Sequence, residues 1–183
     1  MLKVKTRQKY LKALGFYSGP ITGKTNAETQ KAYRKLQNRY FSRAKDRDGV
    51  YGPNTDKLLR SAYNCRDLKY FKLEEFKCKC GGRYCTGYPA VVSRSLVLKM
   101  EKKVRPKYGA ISIISGLRCK TWNRLQGGVS NSRHTTGKAL DFQCAESRKG
   151  VTARKRIIAY CKKIFRYCYG NTSGMGASIH VDV

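Results

Sequence analysis

Histidine and acidic side chains are scarce in this 183-residue chain. It has 2 histidines and 11 Asp+Glu against 40 Lys+Arg, which gives a formal net charge of +29 at pH 7. Such a charge does not specify a fold, but it attracts polyanions: nucleic acids, acidic membranes or the anionic polymers of a cell wall. The sequence contains no zinc-finger spacing and no other nucleic-acid-binding signature, so we expect no specific nucleic-acid partner.

Long apolar runs are also missing. Residues 1–8 lack the apolar segment of a signal peptide, and no run is long enough to cross a bilayer. We therefore expect synthesis in the cytoplasm without a signal peptide, and no membrane span. Separately, we expect a monomer.

The two histidines stand in two short segments, Ser132–Asp141 and Ile179–Val183. Apolar and polar residues alternate over Lys138–Gln143 and over Ser178–Val183, which is typical of strands. Neighbouring strands would hold Asp141 and His180 side by side, with His134 on the loop that leads in. Two histidine nitrogens and one carboxylate oxygen suit zinc and leave its fourth tetrahedral position open for water, as in catalytic sites.

These motifs resemble a known family. Ser-x-His-x-x-Gly-x-Ala-x-Asp from Ser132, with a late His-Val-Asp from His180, is similar to the zinc D-Ala-D-Ala carboxypeptidases and L-Ala-D-Glu endopeptidases of peptidoglycan. The segment from Ser115 to Asn123 resembles the family's Ser-Gly-x-Arg…Asn segment. The resemblance covers roughly residues 70–183. It implies one catalytic zinc ion bound by His134, Asp141 and His180.

The resemblance also implies a role for Arg118 in holding substrate and stabilising the negative charge on the reacting oxygen. Asn123 and Ser132, in the same motifs, are candidate substrate-binding residues. Asn123 has the alternative role of a helix cap, and Ser132 that of supporting its loop.

This chain differs from many members of the family at the position of the general base. Many relatives carry Glu or Asp three residues before the last histidine, where this chain has Ala177. Asp182 is the nearest carboxylate in sequence, so it is the candidate base. The alternative is that Asp182 orients a ligand histidine.

Residues 1–64 are predicted to form a separate three-helix domain. Two glycine-rich turns, Gly15–Gly23 and Asp48–Asn54, separate the helices, and Thr25 with Glu28 is predicted to form a capping box. This arrangement resembles the peptidoglycan-binding domain of many wall hydrolases. The turn residues Tyr17, Asp48 and Tyr51 are therefore candidate wall contacts. The alternative is a small helical domain in which the glycines serve turn geometry alone.

Residues 65–183 are predicted to form the zinc-peptidase domain, with a small, mostly antiparallel sheet and flanking helices, so that the whole chain is α+β. A linker is expected around residues 63–70. One helix is expected from Pro89 to about Val104 and another after Thr152, with a strand over 110–115.

Eight cysteines leave several possibilities open. The one local cluster is Cys78, Cys80 and Cys85. It is compatible with a second metal site, with part of a disulfide, or with reduced thiols in a glycine-rich loop. Cys161 and Cys168 are expected to pack in the core.

The leading hypothesis is a zinc peptidase that cuts a peptide bond of peptidoglycan stem peptides or cross-links, directed to the wall and its anionic polymers by residues 1–64. Such an enzyme would act at the bacterial wall, as phage endolysins do. The first alternative, suggested by Ala177, is a zinc-containing wall-binding protein without catalytic activity. The second, suggested by charge alone, is a nucleic-acid-binding protein.

Overall fold

The computed structural model describes residues 1–183, and the predicted α+β fold class is confirmed. Three helices come first: α1 (Val4–Ala13), α2 (Ala27–Tyr40) and α3 (Pro53–Cys65). The capping box expected at Thr25 is wrong, because the side chain of Asn26 accepts the hydrogen bond from the Thr29 N–H at 2.9 Å. Asn26 therefore begins α2.

Two buried glutamines organise the glycine-rich turns between these helices. Gln8 is 0% and Gln37 1% exposed. Gln8 Oε1 accepts from the Gly23 N–H at 2.9 Å, and Gln37 Oε1 accepts from the Gly49 N–H at 2.7 Å. Both glycines have positive φ, 78° and 77°, which other residues adopt at a cost. Each turn is thus tied to the helix that precedes it.

The second part of the chain contains five short or medium helices and a sheet. Helix α4 (Arg94–Lys99) continues through a π-helical turn (Met100–Val104) into α5 (Arg105–Tyr108), and α6 (Lys120–Leu125), α7 (Ala145–Arg148) and α8 (Val151–Lys162) follow. Three 3-10 turns cover Ala44–Asp46, Leu73–Phe76 and Arg133–Thr136. None of these helices combines the length and the apolar sequence that a bilayer-spanning segment requires.

Two predicted helix starts are wrong. The helix expected from Pro89 begins at Arg94, since Ser93 caps it by accepting from the Leu96 N–H at 3.4 Å. The helix expected after Thr152 begins at Val151, directly after Gly150 with φ 132°.

The sheet has four antiparallel strands in the order β1 (Ile111–Ser115), β2 (Ala139–Cys144), β4 (Ile179–Asp182) and β3 (Tyr167–Gly170). β2 and β4 pair in a register that sets Asp141 opposite His180. β3 was not predicted. It lies on the other side of β4 and sets Tyr169 opposite the same histidine.

A single apolar core runs through both parts of the chain. Where they meet, the Val92 N–H donates to Ser61 Oγ at 3.0 Å and Asn64 Nδ2 donates to Val92 O at 2.8 Å. The Ser42 N–H donates to Thr86 O at 2.9 Å. Helix α3 ends at Cys65, inside the expected linker. The boundary between residues 64 and 65 stays a prediction.

Candidate metal centre

The backbone brings the three predicted ligands to one place. Asp141 and His180 are neighbours across β2 and β4. His134 lies on the 3-10 turn Arg133–Thr136, which Gly137 ends with φ 73°. A Cβ at Gly137 would stand 2.0 Å from Val91 O, so only glycine lets the turn pack there.

The three ligand atoms converge. His180 Nδ1 lies 2.8 Å from Asp141 Oδ1, and His134 Nε2 lies 3.3 Å from each of these two atoms. Ligands about 2.0–2.1 Å from a tetrahedral zinc ion are about 3.3 Å apart, so the donor set and its spacing fit zinc. All three residues are buried. The three residues could therefore bind one zinc ion and leave its fourth coordination position open for another ligand.

The hydrogen-bond partner of His134 Nδ1 determines which tautomer this histidine adopts. The Nδ1–H donates to Gly116 O at 2.7 Å, which leaves the Nε2 lone pair directed at the cluster. Gly116 itself is tightly packed, because a Cβ there would stand 2.6 Å from Phe76 O. The backbone thus sets the orientation of this imidazole.

The second oxygen of Asp141 is held by Arg118. Arg118 Nη2 donates to Asp141 Oδ2 at 2.6 Å and Arg118 Nε donates to Ser115 Oγ at 2.8 Å. Burial alone would raise the pKa of Asp141, but the neighbouring imidazoles of His134 and His180 outweigh it and hold that pKa below the usual aspartate range. Arg118 Nη1 makes no hydrogen bond within the protein. It remains available to a bound molecule.

Asp182 lies at the other edge of the His180 ring. Its Oδ2 is 3.8 Å from His180 Nε2, the nitrogen that does not face the cluster. Arg166 donates to both oxygens of Asp182, at 3.0 and 3.2 Å, and Arg133 Nε lies 3.7 Å away. The carboxylate is 4% exposed. The Asp182 carboxylate therefore contacts two arginines and the outer nitrogen, Nε2, of His180.

The cluster lies in a cleft of about 960 Å³. Two carboxylates, Asp141 and Asp182, line it. Its wall also carries one lysine, three arginines and two tyrosines, Tyr167 and Tyr169, and the ring centroid of Tyr169 is 4.7 Å from that of His180. The four cations are Lys79, Arg118, Arg133 and Arg166. The cleft is therefore cationic overall.

The two predicted substrate-binding residues of this domain have different positions. Ser132 lines the cleft beside the 3-10 turn. Asn123 is 3% exposed, does not line the cleft, and donates from Nδ2 to Val129 O at 2.9 Å. Because its side chain is used inside the fold, the position of Asn123 does not favour direct contact with substrate, and that role stays a prediction. The side chain supports the loop that forms one cleft wall.

The three candidate wall contacts of the first domain also differ. Tyr17 is 4% exposed and its hydroxyl donates to Pro20 O at 2.8 Å, so a ring contact with a wall polymer does not fit its position. Asp48 is exposed, although its Oδ1 accepts from the Val50 N–H at 2.8 Å. Tyr51 is half-buried, and Arg7 stacks on its ring with Cζ 3.9 Å from the centroid. Asp48 and Tyr51 remain accessible.

Some residues of the site were missed from sequence. Arg166 precedes β3 and Tyr169 lies on it, and the Tyr-Cys-Tyr alternation of 167–169 was the available signal, with Cys168 2% exposed between two outward tyrosines. The role of the Gly116 carbonyl could not be predicted from sequence, because every residue has a backbone carbonyl.

Two family models match the chain. Residues 69–182 match "Peptidase M15", and residues 2–59 match "Putative peptidoglycan binding domain". A search of curated proteins found no match. The second match indicates peptidoglycan as the binding partner and the cell wall as the place of action. The first covers more than half of the chain, so the protein belongs to the peptidase M15 family of zinc-dependent metallopeptidases and carries an N-terminal peptidoglycan-binding domain.

Proposed function

We propose that this protein hydrolyses a peptide bond in the stem peptides or cross-links of bacterial peptidoglycan, with one catalytic zinc ion held by His134, Asp141 and His180. The observation that carries the proposal is the convergence of the three ligand atoms within 3.3 Å of one another at a cleft wall. Residues 1–64 would hold the enzyme on its substrate, and residues 65–183 would carry out the reaction. We propose a monomer that acts at the wall.

When bound, zinc would polarise the scissile carbonyl and lower the pKa of a water molecule. The chain's own groups prepare the site for this. The Gly116 carbonyl keeps the proton of His134 on Nδ1, at 2.7 Å, so that Nε2 is free to coordinate. Arg118 Nη2 neutralises the second oxygen of Asp141, and Nη1 can donate to the carbonyl oxygen as negative charge develops there.

We assign Asp182 to orienting His180 rather than to taking a proton from water. Its carboxylate faces Nε2, and Nδ1 is the nitrogen that faces the proposed metal. To act as a base it would also have to leave Arg166, which contacts both of its oxygens. A carboxylate beside the outer nitrogen of a ligand histidine fixes the ring and raises its basicity.

The charge of the cleft supports a carboxylate-bearing substrate. Four cationic side chains line it against two carboxylates that are both engaged within the protein. Stem peptides of peptidoglycan carry free carboxylates, which Lys79 and Arg133 could pair with beside the reacting bond. Ser132, on the same wall, is a candidate hydrogen-bonding partner for the peptide backbone.

The accessible turn residues Asp48 and Tyr51 remain the proposed wall contacts of the first domain. They lie on or beside the turn that Gln37 holds to α2 through Gly49. A rigid turn costs little conformational entropy when it binds a polymer.

A wall-binding protein without turnover is the second candidate function. One observation favours it: the cleft has no carboxylate beyond Asp141 and Asp182, and Ala177 supplies none at the position where many relatives carry an acid. In that case zinc and wall would both bind, but no bond would be cut.

Turnover on purified peptidoglycan separates the two candidates. We expect new amino termini from the wild type, none from His180→Ala, and normal release from Thr136→Ala, an exposed substitution on the same turn as His134. Mass spectrometry of the released fragments would identify the bond. A wild-type preparation with full zinc occupancy that releases no amino termini would leave the binding function alone.

A further inference from the structure

Four cysteine side chains converge outside the candidate catalytic centre. The Sγ atoms of Cys78, Cys80, Cys85 and Cys119 all lie within 4.8 Å of one another, and Cys80 Sγ is 3.5 Å from Cys85 Sγ. The first three come from the loop after the 3-10 turn Leu73–Phe76, and the fourth precedes α6. The local cluster of three in the sequence is thus completed by a residue from far along the chain.

Backbone N–H groups point at these sulfurs. The Cys119 N–H donates to Cys78 Sγ, and the Trp122 N–H donates to Cys119 Sγ, both at 3.4 Å. The Gly87 N–H donates to Cys85 Sγ, also at 3.4 Å. Such donors favour the thiolate form of cysteine, which is the form that binds metals.

We propose that Cys78, Cys80, Cys85 and Cys119 bind a second, structural zinc ion. Four thiolates at about 2.3 Å from a tetrahedral ion are about 3.8 Å apart, which the cluster can reach with small side-chain movements. Four sulfur ligands close the coordination sphere, so this ion has no position for substrate. On binding, the thiol protons pass to solvent.

Other uses of the four thiols fit the arrangement less well. A disulfide joins two sulfurs about 2.05 Å apart and does not call for two further thiols and three N–H donors at the same point. A zinc ion with four thiolates also carries a net charge of −2, and the loop that supplies three of the cysteines also contains Lys77, Lys79 and Arg83. A strongly basic chain is therefore a suitable host for such a centre.

The proposed ion would fix the wall of the catalytic cleft. Cys119 directly follows Arg118, and Lys79, between two of the ligands, lines the cleft and donates to Ile113 O at 3.3 Å. The same loop reaches the first domain, where Thr86 O accepts from the Ser42 N–H at 2.9 Å. One metal ion would thus join the substrate cleft to the domain junction.

The zinc content of variants tests this. In protein purified under reducing conditions, we expect two zinc ions per chain in the wild type and in Cys65→Ala, a buried cysteine outside the cluster. We expect one in Cys119→Ser and one in His134→Ala. Cobalt-substituted protein should show strong thiolate-to-cobalt absorption in the wild type and in His134→Ala, and should lose most of it in Cys119→Ser.

Four results would overturn the proposal. Three of them are one zinc ion per chain in the wild type, two in Cys119→Ser, and wild-type cobalt protein without thiolate absorption. The last needs no variant to fold. The fourth is a peptide map that shows disulfides among these residues in freshly isolated protein. The catalytic proposal is judged separately, since a wall hydrolase with only one zinc ion would refute this inference and keep the enzyme.

Discussion

At the scale of single residues, the two nitrogens of each ligand histidine have different partners. His134 gives Nε2 to the cluster and Nδ1–H to Gly116 O. His180 gives Nδ1 to the cluster and turns Nε2 towards Asp182, 3.8 Å away. A hydrogen bond to the backbone therefore orients His134, and Asp182 is the proposed orienting group for His180. Oriented ligands lower the free-energy cost of assembling a metal site.

The role of Asp182 can be tested by measuring zinc affinity and rate together. If it orients His180, Asp182→Asn weakens zinc binding about 10- to 100-fold. Saturating zinc then restores most of the rate. A general base would behave differently, because its loss leaves zinc bound and lowers the rate by about 10²- to 10⁴-fold at any zinc concentration. Asp46→Asn, an exchange of the same kind in the first domain, is the control for the substitution itself.

Gly137 is the residue at which backbone geometry most directly controls the site. Gly137→Ala should destabilise the protein by about 1–3 kcal/mol beyond the cost of its positive φ, because the new Cβ would overlap Val91 O. Gly109→Ala is the matched control, since Gly109 also has positive φ but nothing lies within 4 Å of the Cβ position. Urea unfolding of both variants measures the difference. Equal destabilisation would contradict the proposed close contact.

At the scale of elements, the end of α3 and the start of α4 are joined by an ion pair. Arg94 donates to both oxygens of Asp67 at 2.8 Å and to Asn64 O at 2.8 Å. The Arg94 guanidinium lowers the pKa of Asp67 to about 2. Because the folded-state pKa lies below the unfolded value of about 3.9, the pair stabilises the fold above that value and loses its effect as pH falls towards 2.

This pair gives a pH-dependent prediction. Asp67→Asn should lower the free energy of unfolding at pH 7 by at most about 1 kcal/mol, since the side chains are partly exposed and solvent screens them. The difference from the wild type should shrink between pH 4 and pH 2. Urea unfolding at pH 7, 4 and 3 checks this, and a difference that is constant over the range would show that charge is not the cause.

Sequence patterns were sufficient to predict some helices and strands but not others. Strands β1, β2 and β4 were predicted because apolar and polar residues alternate along them. Strand β3 was missed because four residues after a helix carry a weak pattern. The starts of α2, α4 and α8 were misplaced because several nearby polar residues can cap a helix, and only tertiary packing decides among Ser93 and its neighbours.

At the scale of the whole molecule, the two domains share one core and several hydrogen bonds at their junction. The binding domain is therefore packed against the peptidase domain rather than connected to it only by a flexible linker. Any wall segment held by the first domain would meet the cleft in a restricted orientation. A fixed geometry raises the effective concentration of correctly placed bonds and excludes others.

The net charge of +29 gives a prediction for the whole protein. Binding to duplex DNA should fall steeply with salt, about 10³- to 10⁵-fold between 50 and 200 mM if six to ten phosphates are contacted. Binding to purified peptidoglycan should persist over the same range, because specific contacts add to the charge. Co-sedimentation with walls and fluorescence anisotropy with DNA compare the two. Parallel loss of both would indicate a non-specific cationic adhesive.

The sequence by itself determined the fold class, the family and the identities of the three candidate zinc ligands. It could do so because these properties depend on short segments: strand alternation, turn glycines and motifs within ten residues. The tertiary structure alone decided which nitrogen of each histidine faces the site, and it joined Arg166 to Asp182 and Cys119 to the other cysteines. Those relations hold between residues far apart in the chain, so they arise only when packing and strand register bring the atoms together.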